Sequence, residues 1–192
     1  MDFYKAYLMP FLIGLLPVLL NCVFLLVRGR YARRKRLHFL AVRVSADLEK
    51  IVLWAIHAHE AWSDYLVHGG DAPESQFYEP VFETFSDVDW TVLDTCLLSR
   101  VMNLRNDFKT IEHLVKLEED ITRSETEAIL MRLLMLQNAG RTAWTLSKDL
   151  RAITGTKSTY CDFYDSSLTR MLDDRQSLQN RHENGWLVRD SA

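Results

Sequence analysis

Glycine and proline are scarce in this sequence, at seven and four of 192 residues, and so few glycines make a phosphate-cradling backbone hard to build. There is no Gly-x-Ser-x-Gly elbow, phosphate-binding loop or dinucleotide fingerprint. Cysteine is limited to Cys22, Cys96 and Cys161. That odd, widely spaced set suggests no disulfide framework, and without a CxxC pair it supports neither a zinc ribbon nor a thioredoxin-like site. No glutamate has a histidine three residues on, so the motif of carboxylate-bridged di-metal bundles is missing. No stretch alternates with period two for long enough to form a sheet. These gaps leave enzymatic activity without support and a reducing compartment as the better fit.

Positive charge is also missing from a long interval. Between Ile51 and Ser99 there is no Lys or Arg, while Glu60, Asp64, Asp71, Glu74, Glu79, Glu83, Asp87, Asp89 and Asp94 are all acidic. The whole chain carries −3, but from Leu37 onward 16 basic residues face 25 acidic ones. An acidic body repels phosphate, which argues against nucleic acid as a partner.

What the sequence does have in quantity is apolar residues, and they are concentrated near its start. Ala6 to Val27 are uncharged and dominated by Leu, Val, Phe and Ile, enough to cross a hydrocarbon layer of about 30 Å. Arg28, Arg30, Arg33, Arg34, Lys35 and Arg36 follow immediately. A cleaved signal carries its positive charge before the apolar run, so the reversed order reads as an anchor. Basic residues are retained on the cytoplasmic side. The expectation is a single-pass membrane protein with its N-terminus outside and its C-terminal domain cytoplasmic. The same six basic residues form a candidate membrane-surface site for anionic headgroups. Pro10, Gly14, Pro17 and Asn21 share one helix face, which suits self-association or contact with another membrane helix.

Beyond the anchor the periodicity is helical. Leu37, Ala41, Val44, Leu48, Ile51, Ala55, Ala58, Trp62 and Tyr65 form a seam at spacings of four and three, ended by His68-Gly69-Gly70. A second helix is expected from Ser86, capped by Ser86 and Asp89 and carrying Trp90, Leu93, Leu97, Leu104, Phe108, Ile111 and Val115, to about Glu119. A third opens on the capping box Ser124-Glu125-Thr126-Glu127 and closes at Lys148, Arg151 and Gly155. A fourth runs from about Ser166 to Glu183. The short turn before the third helix makes the second and third antiparallel neighbours.

The predicted fold class is therefore all-α: an N-terminal transmembrane helix (1–27), a basic juxtamembrane stretch (28–36) and an up-down-up-down antiparallel four-helix bundle (37–192). That order puts two aromatic loops, Gly69 to Phe85 and Thr156 to Asp165, at one distal end. Phe77, Tyr78, Glu79, Phe82, Glu83, Tyr160, Phe163 and Tyr164 are the candidate partner-binding residues, because aromatic anchors at an acidic rim suit a protein interface. The competing expectation is that these aromatics plug the end of the bundle. His57, Glu60, Asp64 and His68 share a face that a metal could use, but at helical pitch it points away from the seam. Glu112-His113 also falls on a polar side, Cys96 reads as a small core residue, and Cys161 as an exposed thiol. The functional expectation is a membrane-tethered helical interaction protein, an adaptor or accessory subunit, without metal or cofactor. The alternative is a membrane-anchored bundle binding a metal or small molecule, as sensor or enzyme.

Overall fold

The computed structural model describes residues 3–69, 71, 73, 89–122 and 124–184, with side chains at all of these except 3–14, 105, 107–109, 111, 112, 115, 116 and 118–122. Among the described residues there are four α-helices and no strand: α1 (Phe3–His68), α2 (Thr95–Thr122), α3 (Glu125–Thr154) and α4 (Cys161–Glu183), with a 3-10 turn at Trp90–Val92. The chain divides into two compact units, Met1–Phe39 and Leu40–Ala192.

The first unit is the N-terminal part of α1. From Leu16 to Val27 its large apolar side chains are all more than half exposed, between 52% and 64%. Among the described residues α1 is the one helix long and apolar enough to cross a membrane, and none of its apolar window is buried in the protein. A core helix of a soluble protein would have that surface covered. Contiguous exposed apolar surface on this scale marks a membrane or protein contact.

In the second unit the predicted α1 seam faces the core. Ala41, Val44, Leu48, Ile51 and Ala55 are buried, and Ala58, Trp62 and Tyr65 are half-buried; Leu37, which belongs to the first unit, is half-buried too. The α3 boundaries also follow the sequence signals. Ser124 Oγ accepts from the Glu127 N–H at 3.3 Å, Glu125 and Glu127 lie in the first turn, and Gly155 caps the C-terminus at φ 68°, a left-handed conformation that glycine adopts without strain.

Two boundaries differ from expectation. Asp89 caps only the short turn at Trp90–Val92, and α2 begins at Thr95, where Asp94 Oδ1 accepts the Cys96 N–H at 2.9 Å. Ser86 lies outside the described residues. Helix α4 starts at Cys161, five residues before the expected Ser166, so much of the predicted Thr156 to Asp165 loop is helical.

The alternating up-down-up-down order is corrected by the contacts themselves. Residues pair between α1 and α3 in descending order: Ser45 and Glu49 with Ser147 and Arg151, Ala55 with Gly140, Trp62 with Arg132, and Tyr65 with Glu125. The Leu40–His68 part of α1 is thus antiparallel to α3, whereas strict alternation would make them parallel. Helix α4 is antiparallel to α3, through Trp144–Asp165 and Glu127–His182. Helix α2 is antiparallel to α3 as well, across the tight turn at Ser124 and through Arg100–Asp149 at 2.7 Å. Hence α1, α2 and α4 run one way and α3 the other. The physical reason is the connection from Gly69 to Asp94. It leaves α1 beside Glu125 and enters α2 beside Asp149, about 36 Å away at 1.5 Å per helical residue. At roughly 3.3 Å per extended residue the connection is long enough to make that return. Gly69 and Thr156 consequently lie at opposite ends of α3, so the reason for grouping their two loops at one end falls away.

Candidate interaction surface and buried polar groups

Gly155 ends α3, and Tyr160 stands at the N-cap of α4. The return places an aromatic cluster on the α3–α4 corner. Tyr164 is buried at 6% exposure with its ring 5.0 Å from Trp144. Tyr160 and Phe163 pack edge-on against Tyr164, at centroid distances of 6.3 and 5.6 Å, yet are 61% and 47% exposed. The outer rings therefore sit on a fixed base. Below them Trp144 Nε1 donates to Asp165 Oδ1 at 2.6 Å, and Lys148 Nζ approaches both that oxygen at 3.3 Å and the Trp144 ring at 5.2 Å. Burial works against ionising Asp165, but the hydrogen bonds from Trp144 and Lys148 outweigh it and hold the carboxyl below its usual value.

Cys161 Sγ lies 3.6 Å from Asp165 Oδ2. Desolvation and the adjacent carboxylate both push its thiol up, away from the thiolate that nucleophilic chemistry needs. Cys96, expected in the core, is exposed in the first turn of α2. Helix α2 starts later than expected, so its first turn lies near the end of the helical packing.

Of the predicted partner-binding residues, Tyr160 and Phe163 are exposed together, and Tyr164 forms the buried floor beneath them. Phe77, Tyr78, Glu79, Phe82 and Glu83 lie outside the described residues. Arg28, Arg30, Arg33, Arg34, Lys35 and Arg36 are all exposed on α1. His57, Glu60, Asp64 and His68 are exposed too. There His68 Nδ1 meets Asp64 at 2.8 Å, while Glu60 is engaged by Arg170. No group of three His, Cys, Asp or Glu side chains among the described residues is placed to hold a metal ion. His113 is exposed, and the Glu112 side chain is outside the described residues.

One feature of the core was not anticipated. His59 is 1% exposed on α1, and neither ring nitrogen has a hydrogen-bond partner. Desolvation lowers its pKa from 6.5 to about 4, with Asp174 opposing and Arg175 and Arg170 reinforcing the shift. On α3 Gln137 is also buried, with Nε2 unpartnered. Position 59 lies four residues after Ala55 and three before Trp62, so the seam spacing itself held the signal. An open polar depression of about 440 Å³ runs along α4, lined by Asp173, Gln176, Ser177, Asn180, Arg181 and Asn184. Its walls lack the apolar enclosure typical of small-molecule sites.

No protein-family model, no curated protein and no solved structure shows significant similarity to this chain.

Proposed function

We propose that this chain is a membrane-anchored interaction protein, an adaptor or accessory subunit whose helical body binds a protein partner. The observation that carries the reading is the pairing of an exposed apolar helical segment with a packed helical body that presents Tyr160 and Phe163 on the buried ring of Tyr164. Aromatic side chains with little freedom left to lose are the usual anchors of protein interfaces. Phe77, Tyr78 and Phe82 are further proposed anchors, with Glu79 and Glu83 steering a basic partner. The bilayer is the second partner, and we propose the Pro10, Gly14, Pro17, Asn21 face of the span as the site where a second copy would pack. The body is cytoplasmic in this reading, because six basic residues follow the span and one precedes it.

The test is affinity purification of the full chain from its native membrane, run beside thermal melts. Tyr160→Ala with Phe163→Ala should lose the partner with little change in melting temperature. Tyr164→Ala should lower the melting temperature, because it removes the buried floor. If the Tyr160/Phe163 pair melts early and still recovers the same partners, those rings belong to the core and the surface reading is wrong. A lumen- or periplasm-specific reporter on the C-terminus should stay silent, and a strong signal would reverse the orientation.

A further inference from the structure

The six basic residues after the apolar run do not form a patch. At about 100° per residue, Arg28, Arg36, Arg33, Arg30, Arg34 and Lys35 follow one another around the α1 axis with no gap wider than about 100°. All six are exposed, a Cβ added at Gly29 would meet nothing within 4 Å, and Tyr31 beside them is 71% exposed. Within residues 3–39 there is no Asp or Glu. Arg28, Arg30, Arg33, Arg34 and Lys35 have no ion-pair partner among the described residues.

The stretch extends about 12 Å along the axis at 1.5 Å per residue, starting where the apolar run ends. It thus covers the depth of one headgroup layer, which is roughly 5–8 Å on each side of the hydrocarbon. Arg30, Arg33 and Arg34 lie three and four residues apart on one side of the helix, but Arg28, Lys35 and Arg36 fall on the opposite side, so the six together cannot converge on one headgroup. A ring of diverging cations instead matches several singly charged phosphates, one beside each side chain.

We infer that the Arg28–Arg36 collar gathers a shell of monoanionic phospholipids around the helix, in the leaflet at the end of the span that carries it. This inference rests on the anchor reading above and goes beyond it by naming the lipid class and the binding mode. The long basic side chains extend their charges to the phosphate level while their stems lie along the apolar surface.

The experiment uses the full chain in phosphatidylcholine vesicles of symmetric composition, with spin-labelled phosphatidylglycerol or phosphatidylcholine as probe. The phosphatidylglycerol probe should be immobilised at the protein preferentially, by up to about fivefold per site at roughly 1 kcal/mol per basic residue. The number of immobilised probes should exceed one per chain. Salt at 1 M, where screening acts within about 3 Å, should abolish the preference, as should glutamine at all six positions. Lysine at the five arginines should preserve it. Equal immobilisation of both probes would overturn the collar and leave the anchor standing. So would a single saturable site that takes only a bisphosphorylated inositol lipid. Loss of any immobilised probe, with either headgroup, would sink the anchor reading itself.

Discussion

Protonating His59 would place a cation among the buried side chains of α1, α3 and α4, where desolvation already holds its pKa to about 4. The unfolded chain takes up that proton near 6.5, the ordinary value. Between these two values the unfolded state binds more protons than the folded one. Stability is therefore complete above about pH 6.5 and is lost as pH falls toward 4, with a slope of at most about 1.4 kcal/mol per pH unit. Denaturant midpoints measured from pH 7 to 5 should decline for the native chain and stay nearly flat for His59→Leu. Equal slopes in both proteins would show that other groups carry the acid sensitivity. A second residue-scale contrast lies in the same unit. Glu49 Oε1 accepts from Arg151 Nε at 2.6 Å and from Ser147 Oγ at 3.1 Å, with both ionic side chains only 12–16% exposed. Glu49→Gln leaves a largely buried guanidinium without its counter-charge and should cost about 1–3 kcal/mol. Asp47→Asn breaks a pair with Lys50 that is 69% exposed on the lysine side and should cost under about 1 kcal/mol. Urea titrations of the two variants would expose an inverted order.

At Gly140, helix α3 packs closely against both α1 and α4. A Cβ added at Gly140 would lie 3.1 Å from Leu168 Cδ2 and 3.2 Å from Ala55 Cβ. Leu168 can rotate away, whereas the Ala55 Cβ is fixed to the α1 backbone. Gly140→Ala should therefore lower stability even though alanine favours a helix by about 1 kcal/mol over glycine. Adding Ala55→Gly should restore part of the loss, so the double mutant is less destabilised than the two singles combined. Additivity would mean that the helices are free to shift apart. Much at this scale could be read from the residues. The Leu37 to Tyr65 seam repeats at helical spacing, and Ser124, Glu127 and Gly155 are local signals that act within one turn. The N-terminus of α4 was not readable in the same way, because Tyr160 makes no side-chain cap hydrogen bond and the early turn is held by Tyr164 packing on Trp144. The burial of His59 is harder to read, because a histidine among alanines looks polar until its phase is compared with Ala55 and Trp62.

At the scale of the whole chain, helix direction depends on what a connection does over tens of ångströms, and no local pattern reports that. The short turn at Ser124 made α2 and α3 antiparallel in sequence and in structure alike. The long connection from Gly69 to Asp94 allowed either outcome, and the contacts of Tyr65 with Glu125 and of Arg100 with Asp149 decide it. The same holds for the aromatic site: Tyr160, Phe163 and Tyr164 are neighbours in sequence and lie together, while no local signal ties them to Phe77, Tyr78 and Phe82, which lie outside the described residues.

The two units differ most in how they treat apolar surface, and that difference can be tested by dividing them. In the second unit Leu40, Val44, Leu48, Ile51, Leu133, Leu146 and Leu150 are all at most 1% exposed, so its core is covered by its own helices. In the first unit the large apolar side chains from Leu16 to Val27 stay more than half exposed, and none of the apolar window is buried among the described residues. Burying one such side chain stabilises by about 1.5–3 kcal/mol, so nine of them together amount to roughly 14–27 kcal/mol, at least as much as the roughly 5–15 kcal/mol that separates a folded domain from its unfolded state. Water is therefore a poor environment for the first unit and an acceptable one for the second. A fragment beginning at Leu37 should be soluble without detergent and unfold in one cooperative transition. The full chain should require detergent or lipid, and residues 1–36 fused to a soluble reporter should carry it into the membrane fraction and resist extraction at high salt. Within the fragment, Leu48→Ala should cost about 2–5 kcal/mol, since this seam side chain is fully buried. A fragment that aggregates, or that melts without a cooperative transition, would mean that the second unit depends on the first for its core. A salt-extractable fusion would mean that the Leu16–Val27 surface is covered by a protein partner instead of by lipid.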